Sequence, residues 1–123
     1  MSTPQIRCKI WFEIEGDALI GNGRERLLMA IDKHGSLSAA AKELGIAYRK
    51  VWAQVQQMER IAPFPLFHRR TGGNAGGATE LTTQAKMLLN QFQQIEQQIR
   101  ESVDTIFQAH VDNGFFALEG DDQ

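Results

Sequence analysis

Between Gly35 and the prolines at 63 and 65 the chain carries two short helical signals separated by a single glycine. This spacing constrains the fold more than any other feature. Ser36 or Ser38 can cap a first helix over about 37–44 through a side-chain oxygen, and Gly45 closes it. A second helix starts near Ala47 and runs to about Ile61, with Val51, Trp52, Val55 and Met58 spaced as one apolar stripe. Pro63 and Pro65 end it, because proline lacks the amide proton that a further turn needs. Two helices joined by so short a turn cross closely, so the first needs a small side chain at the crossing. Ala41, flanked by Ala39 and Ala40, meets that need. The turn needs a left-handed backbone, which Gly45 adopts at little steric cost. Leu44 and Ile46 are expected to fill the space between the helices, and Val51 to bury on the inner face. The pattern is that of a helix-turn-helix, although a plain helical hairpin would use the same residues.

Charge supports the first of these readings. The formal net charge of the 123-residue chain is −2, but it is unevenly spread. Residues 36–79 hold six basic side chains against two acidic ones, while residues 80–123 hold two against eight. Attraction for phosphate is therefore confined to the segment with the helix-turn-helix signals. The first turn of the second helix reads Ala47-Tyr48-Arg49-Lys50, polar and basic at the end that would enter a major groove. Arginine forks onto the guanine edge, lysine reaches guanine or phosphate, and alanine touches a thymine methyl. Tyr48 offers a hydroxyl to phosphate. Trp52 is expected in the core or against backbone rather than in readout, and Gln54 and Gln56 in solvent.

The flanking segments complete an architecture that is mainly α with a small β wing. Residues 6–14 roughly alternate and read as a strand, Glu15-Gly16-Asp17 as a turn, and residues 24–34 as a helix stopped by Gly35. Leu66 to Arg69 and Thr79 to Leu81 read as the strands of a hairpin wing, spanning about 66–81, with a glycine-rich loop between them. Arg69 and Arg70 at its stem are placed to neutralise phosphates or enter a narrow minor groove. Thr82 or Thr83 caps a long helix reaching about Val111. Its apolar positions Ala85, Leu88, Phe92, Ile95 and Ile99 follow the three-and-four spacing of a coiled-coil seam, and the pattern shifts after Ile99. The expected division is a winged helix-turn-helix domain over 1–81, a long dimerisation helix over 82–112 and an acidic tail over 113–123.

The serial motifs resemble the N-terminal DNA-binding domain of the ModE family of molybdate-responsive transcriptional regulators. The resemblance covers about residues 20–90. It rests on the run from Gly23-Arg24 through Leu27-Leu28 and Ala30-Ile31, on Gly35-Ser36-Leu37-Ser38-Ala39-Ala40-Ala41-Lys42, on Gly45-Ile46-Ala47-Tyr48-Arg49-Lys50-Val51-Trp52, and on Arg70-Thr71-Gly72-Gly73 with Gly76-Gly77 and Leu81-Thr82. The first helix is also distantly similar to the LysR-type helix-turn-helix. The resemblance implies a homodimer on a palindromic operator in double-stranded DNA. It implies base contacts from Ala47, Tyr48, Arg49 and Lys50, and backbone contacts from Arg69, Arg70 and Thr71. Ser36 and Ser38 complete the expected DNA-contacting set. The implied dimer interface joins the N-terminal strand to the long helix, with Leu88, Phe92, Ile95 and Ile99 as its seam. The chain ends before any molybdate-binding domain of the kind that such regulators carry. The expectation is thus a stand-alone regulator linked to molybdenum metabolism, or one whose signal comes from a separate effector-sensing partner.

Other classes find little support. Cys8, His34, His68 and His110 share no metal-ligand spacing, so no metal site and no cofactor are expected. No nucleophile–base–acid set is visible, and an enzyme is not expected. No membrane span and no signal peptide are read, and a single cysteine suits the cytoplasm. The rival to a DNA-binding regulator is a winged-helix protein-interaction adaptor, suggested by the net negative charge. A redox role for Cys8 is weaker still.

Overall fold

The chain alternates short hairpins with helices, and the computed structural model describes residues 3–70, 77–114 and 116. In order these are β1 (Phe12–Ile14), β2 (Asp17–Ile20), α1 (Asn22–His34), α2 (Leu37–Leu44), α3 (Tyr48–Ile61), β3 (Phe67–Arg70), β4 (Ala78–Leu81) and α4 (Thr83–Asp112). Thr71, Gly72, Gly73, Gly76 and nearly all of the acidic tail lie outside the described residues.

The N-terminal segment differs from the long strand expected over 6–14. Strand geometry begins only at Phe12, and β1 pairs antiparallel with a strand that sequence alternation did not reveal. Glu15 and Gly16, both at positive φ, make the two-residue turn that matches the twist of a tight hairpin. The register pairs Phe12 with Ile20 but Glu13 with Ala18, leaving Leu19 as the extra residue of a bulge. The bulge lets two consecutive side chains, Leu19 and Ile20, bury together. A period-two reading of the sequence cannot anticipate that.

The helix boundaries follow their local chemistry. α1 and α2 close on Gly35 and Gly45, both left-handed, at φ 73° and 68°. Ser36 caps α2 by accepting the amide of Ala39 at 3.1 Å. Thr82 does the same for α4 at Ala85, 3.0 Å, while its hydroxyl donates to the Pro65 carbonyl at 2.8 Å. One core joins these elements: Leu28 and Ile31 of α1, Ala40 and Ala41 of α2, Val51, Val55 and Met58 of α3, Leu66, and Ala85 and Phe92 of α4. Phe92 meets Phe12 edge-to-face with centroids 5.1 Å apart.

The structure separates into two compact bodies, Ile10–Phe92 and Met1–Lys9 with Gln93–Gln123. The division falls within α4, whose first three turns place Ala85 and Phe92 in the winged core. No helix of the described residues is long and apolar enough to cross a membrane.

The C-terminal ends of α1 and α2 are held at the surface by Glu43, which accepts from His34 and lies 3.5 Å from Lys33. The His34 hydrogen bond, aided by Lys33, holds the Glu43 carboxyl below its ordinary value. A depressed carboxylate stabilises the fold above its unfolded pKa, and that contribution disappears as pH falls through the folded value. Glu43→Gln should therefore be less stable than the parent chain at pH 7. The difference in urea midpoint should shrink as pH falls through the lowered folded value; a difference independent of pH would show that the carboxylate contributes nothing.

Candidate nucleic-acid interface

The helix-turn-helix presents the start of α3 to solvent because its other side is fully occupied. Val51, Val55 and Met58 are completely buried and form the inner stripe. Rotating from that stripe at about 100° per residue places Arg49 on the opposite side and Tyr48 and Lys50 on the flanks. Ala47, Tyr48, Arg49 and Lys50 are all exposed. Arg49 and Lys50 form no ion pair or side-chain hydrogen bond among the described residues. Two cations thus stand free at the end of a helix whose N-cap, Ala47, supplies no capping side chain. The exposed amides there add a partial positive charge.

Gly45 and Ala41 set this geometry. The amide of Ile46 returns to the Ala41 carbonyl at 3.1 Å, so the chain reverses within three residues of α2. Ile46 does not fill the space between the helices as expected. It is 38% exposed, because the left-handed turn carries it outward. Ser36 uses its oxygen as the α2 cap, and Ser38, two residues on, is exposed.

The wing separates two arginines that look equivalent in the sequence. Its register pairs Phe67 with Leu81, His68 with Glu80, Arg69 with Thr79 and Arg70 with Ala78. Phe67, Thr79 and Leu81 are buried, so period two puts Arg69 on the inner face and Arg70 on the outer one. Arg69 donates to Glu59 of α3 at 3.0 Å, and its guanidinium lies 4.5 Å from the centre of the Trp52 ring. Arg70 is 75% exposed, with a loose 3.6 Å pair to Glu80. Of the two, Arg70 is the cation available to a polyanion, and Arg69 clasps the wing to α3. The amide of Thr79 completes the attachment by donating to the Gly35 carbonyl at 2.9 Å. Trp52 is accordingly a surface residue, 42% exposed, rather than a core one. It shares the apolar spacing of α3 but turns away from the core stripe.

Arg24, at the start of α1, enters the sequence reading only within the family resemblance, with no role assigned to it. It bonds Gln54 and Gln57 of α3, each at 2.7 Å, so these glutamines are not simply solvated. The alternation of arginine and glutamine over 24, 54 and 57 carries no local signal, since the partners are about thirty residues apart. The seam residues are also dispersed. Phe92 is fully buried inside its own chain, Leu88 packs partly on the same core, and Ile95 and Ile99 are exposed. Among the described residues, no three His, Cys, Asp or Glu side chains come together as metal ligands.

Residues 24–86 match the family described as bacterial regulatory helix-turn-helix protein, lysR family. The chain is 42% identical over 73 residues to the transcriptional regulator ModE of Haemophilus influenzae, covering 59% of this chain and 29% of that protein. It is 31% identical over 83 residues to the DNA-binding transcriptional dual regulator ModE of Escherichia coli, covering 68% and 32%. The molybdenum transport protein ModE of Azotobacter vinelandii is 27% identical over 106 residues, covering 86% and 39%. The chain thus spans about a third of the length of these relatives.

The stacking of Arg69 on Trp52 is open to direct measurement. In a Trp11→Phe chain, whose remaining indole is Trp52, Arg69→Met should shift the fluorescence emission and lower stability by about 1 kcal/mol. An unshifted spectrum would mean that the guanidinium does not rest on the ring in solution.

Proposed function

The chain belongs to the bacterial regulatory helix-turn-helix proteins of the lysR family, with a ModE-type N-terminal DNA-binding domain, and on that premise we propose that it binds an operator in duplex DNA as a homodimer and regulates genes of molybdenum metabolism. One observation carries the DNA reading: Arg49 and Lys50 stand exposed in the first turn of α3, with no ion pair among the described residues. Free cations on the second helix of a helix-turn-helix, with Arg70 exposed on the wing, suit a polyanionic duplex. Arg49 and Lys50 serve as the base-reading pair, Tyr48 and Ser38 as neighbours on the backbone, and Arg70 as the wing's phosphate contact.

The dimer rests on the second body. There Ile6, Val103, Ile106, Phe107 and His110 line an open apolar hollow of about 550 Å³. Ile95, Ile99 and Ile106 are 37%, 38% and 61% exposed along α4. Exposed isoleucines at helical spacing are costly in water, and an isologous contact with a second copy would bury them. The interface therefore begins at Ile95 and continues past Ile99, with Phe92 and Leu88 left to the winged core. A regulator of this kind works in the cytoplasm, where its DNA is.

Arg49→Ala and Lys50→Ala should each weaken binding to a duplex selected from a random pool by about 1–3 kcal/mol. Anisotropy titration at several salt concentrations measures this. Unchanged affinity in both would remove α3 as the reading helix, and the absence of any salt-dependent binding would favour a protein-interaction adaptor. Ile99→Glu with Ile106→Glu should convert a dimer into a monomer in light scattering, while the helical circular dichroism of the winged body persists. A monomeric parent chain would overturn the dimer.

A further inference from the structure

Arg24 holds three elements with one guanidinium. Its Nε donates to Gln54 Oε1 at 2.7 Å and its Nη2 to Gln57 Oε1 at 2.7 Å. Its Nη1 donates to the carbonyls of Ala18 at 2.6 Å and Leu19 at 3.2 Å. Four of the five N–H donors of a guanidinium are thereby used. The two carbonyls belong to β2 at its bulge, Ala18 opposite Glu13 and Leu19 the extra residue. Burial lowers the pKa of Arg24, and it makes no ion pair among the described residues. A half-buried cation held by neutral oxygens alone needs its fork geometry intact.

The flank it holds is the one that matters for α3. Lys50, Gln54 and Gln57 lie at i, i+4 and i+7, one side of the helix. Packing on that side is incomplete: an open hollow of about 300 Å³, lined by Leu27, Leu44, Ile46, Lys50 and Gln54, separates the start of α3 from α1. Burial of Val51, Val55 and Met58 fixes which side of α3 faces the core, but a single apolar stripe tolerates small rolls about the helix axis. We infer that Arg24 is a positioning residue that sets the roll of α3 against the β1–β2 hairpin, and so sets base selectivity without touching a base. The inference rests on the DNA-reading role proposed above.

The test uses the full chain and compares Arg24→Met, Arg24→Lys and the double variant Gln54→Ala/Gln57→Ala. Each is titrated against the selected duplex and against random duplex of equal length, with amide hydrogen exchange read in parallel. Arg24→Met should lose about tenfold in affinity for the selected duplex, the size of one misplaced base contact. Binding to random duplex and its salt slope should stay near parental, since no phosphate contact is removed. Arg24→Lys should lose selectivity almost as far, because an ammonium keeps the charge but not the fork. Adding Arg24→Met to the double glutamine variant should cost no further selectivity. Amides of Tyr48–Gln57 should exchange faster while those of β3 and β4 do not. Parental selectivity with unchanged α3 exchange in Arg24→Met or Arg24→Lys overturns the inference. So does an equal loss on both duplexes with a shallower salt slope, which would make Arg24 a phosphate ligand. If the parent chain binds no duplex, the DNA reading fails, and the exchange arm still decides whether Arg24 orders α3. If Arg24→Met does not fold, Arg24→Lys and the glutamine variant carry both comparisons.

Discussion

Burial of the Val51–Val55–Met58 stripe is the constraint on which the rest of the structure depends. A helix with one apolar side has only one way to face a core, and that orientation turns the residue 160° away, Arg49, into water. The close α2 crossing at Ala40 and Ala41 and the left-handed turn at Gly45 fix where the stripe can land. Everything exposed at the start of α3 is exposed because these few residues are buried. The free charges of Arg49 and Lys50 follow from packing, not from any local preference for solvent.

A single stripe does not fully orient a helix, and the structure adds polar clasps on both flanks of α3. On one side Arg69 bridges Glu59 and Trp52, fastening the wing. On the other Arg24 bridges Gln54, Gln57 and the β2 bulge, fastening the N-terminal hairpin. Both use guanidinium, whose rigid planar fork can bond several acceptors at set angles. Arginine therefore has two uses in this fold. Arg49 and Arg70 stay exposed, and Arg24 and Arg69 organise α3.

The long helix shows a similar division of labour. Its early apolar positions, Ala85 and Phe92, complete the winged core, while Ile95, Ile99 and Ile106 stay exposed. The three-and-four spacing runs unbroken from Ala85 to Ile99, so burial, and not periodicity, separates Phe92 from Ile95 and Ile99.

The amino-acid sequence alone determined the order of helices, a hydroxyl cap at Ser36 or Ser38 and at Thr82 or Thr83, the stops at Gly35, Gly45 and Pro63, and the basic character of the α3 start. These features depend on residues within a turn or two of one another, where propensity and capping chemistry operate. Tertiary structure decided the matters that depend on distant partners. The β3–β4 register chose Arg70 over Arg69 as the free arginine of the wing. The bulge at Leu19 made a strand where alternation had failed, and in doing so offered Arg24 two carbonyls. Core packing drew Phe92 inward and left Trp52 at the surface. Each of those outcomes turns on contacts between segments remote in sequence, so no local pattern could have announced them.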